Sequence, residues 1–115
     1  MGLVRTQRVG EGADIHVSNG TLEVRIKKIG FVNKLAEEPE LVDSPSGLQN
    51  WVKAAMVSVS GVEETTEYLL KAGDEAQKLP DDIEIGVLNH FPLNKGKASM
   101  LYIAPVGYLI DRVED

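Results

Sequence analysis

The sequence contains no cysteine. That excludes a disulfide framework, a thiolate metal site and a cysteine nucleophile. Aromatic residues make up only 5% of the chain, so any core has to be built mainly from aliphatic side chains. No apolar run approaches the ~18 residues of a membrane-spanning helix. No basic-then-apolar start resembles a signal peptide. Together these absences predict a cytoplasmic protein with no membrane attachment. There are two histidines, His16 and His90, and neither has a ligand-spaced acid or histidine beside it, so no metal site is expected. Ser58, Ser60 and Ser99 lack a G-x-S-x-G elbow. Gly10-Glu11-Gly12 lacks the third glycine and the following helix of a phosphate-binding loop, and reads as a turn. The adjacent carboxylates Glu37-Glu38 and Asp81-Asp82 would point to opposite faces of a strand or be solvated in a loop. The chain therefore offers no catalytic residue and no cofactor site.

What is present fits one domain of 115 residues, with 43% hydrophobic and 26% charged residues. The net charge of −6 counts against non-specific nucleic-acid binding. The charge is unevenly spread, however. Residues 1–35 carry Arg5, Arg8, Arg25, Lys27, Lys28 and Lys34 against Glu11, Asp14 and Glu23, and the acids gather in residues 37–43, 63–67 and 74–84. A local cationic surface on an acidic protein is compatible with that distribution.

Alternation and turn residues predict strands over residues 3–9, 13–18, 21–29, 83–88, 98–104 and 108–113. The clearest is 21–29, where Leu22, Val24 and Ile26 face one way and Glu23, Arg25 and Lys27 the other, closed by Gly30. Asn19-Gly20 before it reads as the centre of a type I′ hairpin turn. Residues 31–46, with Glu37, Glu38, Pro39, Glu40, Asp43 and Pro45, read as a solvated loop. In residues 46–59, Leu48, Trp51, Val52, Ala55, Met56 and Val59 recur at helical spacing, capped by Ser44 or Ser46. This stripe is either core packing or a partner surface. Ser60 and Glu63 match a capping box for a second helix that carries Val62, Leu69, Ala72, Ala76 and Leu79 and stops at Pro80. The expected fold is thus α+β: a small antiparallel, barrel-like sheet of five or six strands with an inserted two-helix hairpin.

The two ends of the chain resemble the CsrA/RsmA family of small RNA-binding translational regulators. Leu3-Val4-Arg5-Thr6-Gln7-Arg8-Val9-Gly10-Glu11 is similar to that family's opening L-x-L-T-R-R-x-G-E. Thr21-Leu22-Glu23-Val24-Arg25-Ile26 resembles its third strand, residues 97–103 its fourth, and Ala104-Pro105 its A-P turn. Ile110-Asp111-Arg112-Val113-Glu114 is similar to its V-x-R-x-E close. The resemblance covers roughly 50 of the 115 residues, in segments 1–30 and 95–115, with 31–94 as a helical insertion. It departs from the family where Arg5 replaces a leucine and Gln7 an arginine; Arg8 and Arg112 match. The family commonly carries a helix after its fifth strand, and here the helices are expected inside the insertion.

The resemblance implies a non-enzymatic post-transcriptional regulator that binds RNA hairpin loops, GGA-containing in the family, as a homodimer. In that dimer the first strand of one chain lies beside the last strand of the other. The implied contacts are Arg5, Gln7, Arg8, Ile110 and Arg112, with the insertion free to meet a protein partner. Read from residue type alone, Arg8 and Arg112 are better explained as sheet-edge charges that discourage aggregation, and only the resemblance brings the RNA reading level with that. The rival expectation is a structural or assembly protein, such as a phage virion component, that works through homo-oligomerisation.

Overall fold

Two antiparallel sheets face each other in the computed structural model, which is described here for residues 2–38, 40–43, 50–61, 64–88 and 96–114. In chain order the strands are β1 (Gly2–Arg8), β2 (Gly12–Val17), β3 (Gly20–Asn33), β4 (Trp51–Ser60), β5 (Thr65–Lys71), β6 (Gln77–Leu79), β7 (Ile83–Val87), β8 (Lys97–Ile103) and β9 (Leu109–Val113). The first sheet runs β1-β8-β7-β6 and the second β5-β4-β3-β2-β9. Strands β7 and β8 of the first sheet pack over β4 and β5 of the second.

The expected α+β class with a helical insertion is therefore wrong. Among the described residues the only helical element is a single 3-10 turn, Pro80–Asp82, joining β6 to β7. Of the residues expected in the first helix, 51–59 lie in β4, and of those expected in the second, 65–71 form β5 and 77–79 form β6. The physical reason lies in the β4 sequence W-V-K-A-A-M-V-S-V-S. Ala55, Val57 and Val59 line the core at a spacing of two, while Ala54 and Ser58, on the other face, are also buried. Burial on both faces blurs the alternation that marks a half-exposed strand, and a short apolar run then imitates a helical stripe. β-branched Val52, Val57 and Val59 favour the extended form. Ser60 does not cap a helix: its hydroxyl lies 3.0 Å from Thr65 Oγ1 across the β4–β5 pair. The proposed caps Ser44 and Ser46, and also Leu48, Val62, Glu63 and His90, lie outside the described residues.

Strand β3 also continues past Gly30 to Asn33, and Phe31 forms an isolated bridge with Val42, so part of the expected loop is sheet. A β-carbon on Gly30 would lie 2.4 Å from the Val42 carbonyl oxygen, so glycine here permits a close approach of two backbones and does not close the strand. Here Lys53, opposite Phe31 in the pairing, is buried with its ammonium 5.6 Å from the Phe31 ring centre, and burial lowers its pKa. The strands expected over 3–9, 13–18, 83–88, 98–104 and 108–113 correspond to β1, β2, β7, β8 and β9 to within one residue at each end. The β2–β3 turn differs in type from expectation. Gly20 has φ 142° while Asn19 is not in the positive-φ region, so the pair does not form a I′ turn, which needs positive φ at both central residues.

The core is one aliphatic cluster shared by the two sheets. Ile15, Val24, Ile26 and Val57 come from the second sheet, and Ile83, Ile85, Met100 and Tyr102 from the first. All eight are fully buried. Burial of each such side chain contributes about 1.5–3 kcal/mol, which is the main force holding sheet to sheet.

Candidate nucleic-acid interface

Strand order places the sequence-predicted residues. The strands that carry the family resemblance are β1 and β8 in one sheet, and β3, β2 and β9 in the other. They form the contiguous blocks β1-β8 and β3-β2-β9. The strands from the insertion add to the far side of each block, as β7-β6 and β4-β5. Strands β1 and β9 are therefore outer strands of their sheets, on the same side of the sandwich. They do not pair with each other: β1 pairs with β8, and β9 with β2. The resemblance sets the first and last strands side by side between two chains of a dimer, and within one chain they share no ladder.

The chain crosses between sheets at residues 8–12, and this crossing is tightly built. Glu11 N–H donates to the Arg8 carbonyl at 3.0 Å, closing a four-residue turn in which Gly10 supplies φ 92°. The buried Glu11 carboxylate folds back to accept the Arg8 N–H at 2.6 Å. Gly10 N–H donates to the Ile26 carbonyl and Ile26 N–H to the Glu11 carbonyl, both at 2.8 Å, so the turn is docked on β3. Gly12 follows, and a β-carbon there would lie 1.9 Å from the Val24 carbonyl oxygen.

Gln7 belongs to this same construction. It is fully buried on the inner face of β1. Its Nε2 donates to the Gly12 carbonyl at 2.8 Å, and its Oε1 accepts from the Tyr102 hydroxyl at 2.6 Å. The Tyr102 hydroxyl is held protonated well above its ordinary range. Burial is the largest cause, opposed by Arg25 and reinforced by Glu11 and Glu114.

The other predicted residues divide by face. Arg5 shares the inner face of β1 with Leu3 and Gln7 and is half-buried, and its Nε is buried without a hydrogen-bond partner. Arg8 points outward, with its side chain 63% exposed and Nε 4.0 Å from Glu11 Oε1. Ile110 stands opposite Ile15 and packs against the core. Arg112 stands opposite Ala13 and is exposed. Arg8 and Arg112 thus border the same crossing, one entering it and the other beside its exit. Arg25, another cation at this end, is occupied: Nη2 lies 2.8 Å from Asp14 Oδ1, an ion pair without hydrogen-bond alignment, and Nη1 donates to the Val24 carbonyl at 2.9 Å.

Sequence reasoning missed three features. Tyr102 falls within the strand expected over 98–104 and has no role assigned there, although a buried tyrosine needs a hydroxyl partner and so invites a search for one. Glu11 was read as a turn residue and is in fact a buried acceptor. His16 bridges three strands, with Nε2 2.7 Å from Asp111 Oδ2 and Nδ1 3.2 Å from Thr21 Oγ1. His16 and Asp111 have side chains 44% and 56% exposed, so this row fastens β9 to β2 on an open face and encloses no dry reaction site. Among the described residues no cluster of three or more His, Cys, Asp or Glu could hold a metal, and no helix is long and apolar enough to cross a membrane. Comparison with protein-family models, curated proteins and solved structures finds no match.

Proposed function

We propose that this protein is a non-enzymatic RNA-binding regulator of the CsrA/RsmA type, acting in the cytoplasm as a homodimer. The observation that carries the reading is the strand order. All strands that resemble the family keep together on one side of the sandwich, and the inserted strands extend only the other side. The resembling side keeps two outer strands and the exposed Arg8 and Arg112 at one crossing. Unpaired strand edges and arginines suit an RNA loop, whose splayed bases and phosphates present acceptors to both. Gln7 and Ile110 leave the contact set, since one is saturated by internal hydrogen bonds and the other packs on the core.

Titration of the pure protein onto a GGA-loop RNA hairpin tests this reading. Arg112→Ala should weaken binding about tenfold or more, the cost of about 1–3 kcal/mol expected for one arginine contact. Equal, weak binding by both proteins removes the RNA reading.

A second reading is an assembly protein that works through homo-oligomerisation. Val4 on β1 and Leu109 on β9 favour it, since both are more than half exposed on the outer strands. Sedimentation separates the two: a closed dimer that binds RNA fits the first, and a ring or longer array that retains no nucleic acid fits the second.

A further inference from the structure

We infer that Asn19-Gly20 is a site of spontaneous covalent modification, where Asn19 loses its side-chain nitrogen as ammonia and becomes an aspartyl or isoaspartyl residue at the tip of the β2–β3 hairpin. The inference goes beyond the RNA reading above and does not depend on it. In the first step the Gly20 backbone nitrogen bonds to Asn19 Cγ. The Cγ–Nδ2 bond breaks, and the Gly20 proton leaves with that nitrogen as ammonia. Water then opens the cyclic imide that remains. Opening at Cγ gives aspartate. Opening at the Asn19 backbone carbonyl gives isoaspartate, in which the main chain runs through the former side chain.

Sequence and fold point to the same dipeptide. Asn19 is the only asparagine in the sequence that precedes a glycine; Asn33, Asn50, Asn89 and Asn94 precede Lys34, Trp51, His90 and Lys95. Glycine lacks the β-carbon that would crowd its nitrogen, so the attacking atom can approach closely. The backbone also requires glycine here, because the Gly20 φ of 142° lies in a region that residues with side chains rarely adopt. The turn thus demands the residue that leaves Asn19 open to attack. Asn19 and Gly20 are both exposed to water, and Asn19 sits in the short loop between the paired residues Val17 and Gly20. A hairpin tip opens locally at far lower cost than a core strand, which frees the Gly20 nitrogen to react. Asn33 is the contrast: its Oδ1 accepts the Leu35 N–H at 2.9 Å, which ties its amide into a local bond.

The modification reaches beyond the turn because of what stands next to it. Isoaspartate adds a carbon to the backbone of a loop whose length sets the β2–β3 register. The first pair below the tip is His16 with Thr21. There His16 Nδ1 lies 3.2 Å from Thr21 Oγ1, and its Nε2 lies 2.7 Å from Asp111 Oδ2 on β9. A lengthened loop shifts Thr21 against His16, and the new carboxylate adds a negative charge one residue pair away from this row. Strand β9 pairs only with β2, so it has no second neighbour to hold it when the His16 fastening slackens. The first half of β9, Leu109–Asp111, therefore loosens as the protein ages.

The test ages the full-length protein at mildly alkaline pH, which speeds loss of the Gly20 N–H proton. Peptide mass mapping and enzymatic methylation specific for isoaspartate then locate the product. The amide-to-acid mass gain and the methylation should appear in the peptide that carries Asn19 before any other, and should grow faster as pH rises. Asn19→Gln would have to close a larger ring, so it should fold as the parent does and lose the methylated species. Amide hydrogen exchange of residues 109–111 should be faster in the aged parent than in the fresh one, and unchanged by ageing in Asn19→Gln. Methylation only at other asparagines, or at none, overturns the inference. Modification at Asn19 with unchanged exchange in residues 109–111 overturns the effect on β9.

Discussion

Among the described glycines, Gly12→Ala should be the most damaging change to alanine, costing about 3 kcal/mol or more and lowering Tm by roughly 10 °C. The new β-carbon would sit 1.9 Å from the Val24 carbonyl oxygen and 2.8 Å from its carbon, both backbone atoms of β3. No side chain can rotate to make room, so β2 has to move away from β3. That movement also disturbs the Gln7 bond to the Gly12 carbonyl and the docking of residues 10 and 11 on Ile26. Gly10→Ala is the control. Gly10 has open space around it and φ 92°, so it suffers only the conformational cost of a left-handed residue, about 1 kcal/mol. Thermal unfolding of the two variants decides the matter. Equal losses would mean that the β1–β2 crossing is not packed as described.

The second large effect is expected in the relay beneath that crossing. Gln7→Leu strands both the Tyr102 hydroxyl and the Gly12 carbonyl in an apolar interior, at about 1–3 kcal/mol for each group. Tyr102→Phe strands only the Gln7 oxygen and should cost less. The double variant leaves only the Gly12 carbonyl without its partner, so its loss should fall short of the sum by about 1 kcal/mol or more. Additive losses would show that the two side chains do not bond. The relay has a pH signature as well. An unfolded tyrosine releases its proton near pH 10, and Tyr102 in the fold is held above that. The folded state therefore keeps a proton that the unfolded chain has lost. The stability from Tyr102 is full below about pH 10 and falls as pH rises above it. Urea unfolding at rising alkaline pH should show this decline in the parent and its absence in Tyr102→Phe.

Much of the sheet structure was legible in the sequence wherever two signals agreed. Strand β3 alternates cleanly after a glycine turn, and Ala104-Pro105 before Val106-Gly107 marks a real turn, closed by Tyr108 N–H on the Pro105 carbonyl at 3.2 Å. Strand β4 was illegible because its period of two is hidden by burial of Ala54 and Ser58 on the face opposite the core. Strand β5 was illegible because Leu69, Ala72, Ala76 and Leu79 recur at helical spacing, although the fold spreads them over β5, the β5–β6 connection and β6.

For the candidate site, Arg8 and Arg112 were legible as exposed cations near strand ends. The fate of Gln7 was not, because its hydroxyl partner Tyr102 is 95 residues away and nothing local announces the pairing. The orientation of Arg5 follows from the same fact, since Gln7 and Arg5 share a face once Gln7 is known to point inward.

The addition of strands only on the far side has a consequence for any shortened chain. If Asn33 were spliced to Lys97, β3 would lose β4 and β8 would lose β7, leaving two bare ladders of N–H and C=O groups. Those ladders would then have to zip to one another or to a neighbouring molecule. The middle of the sequence thus acts as a built-in cover for two strand edges, and a miniature built from the termini alone should aggregate or assemble through the β3 and β8 edges that the parent keeps covered.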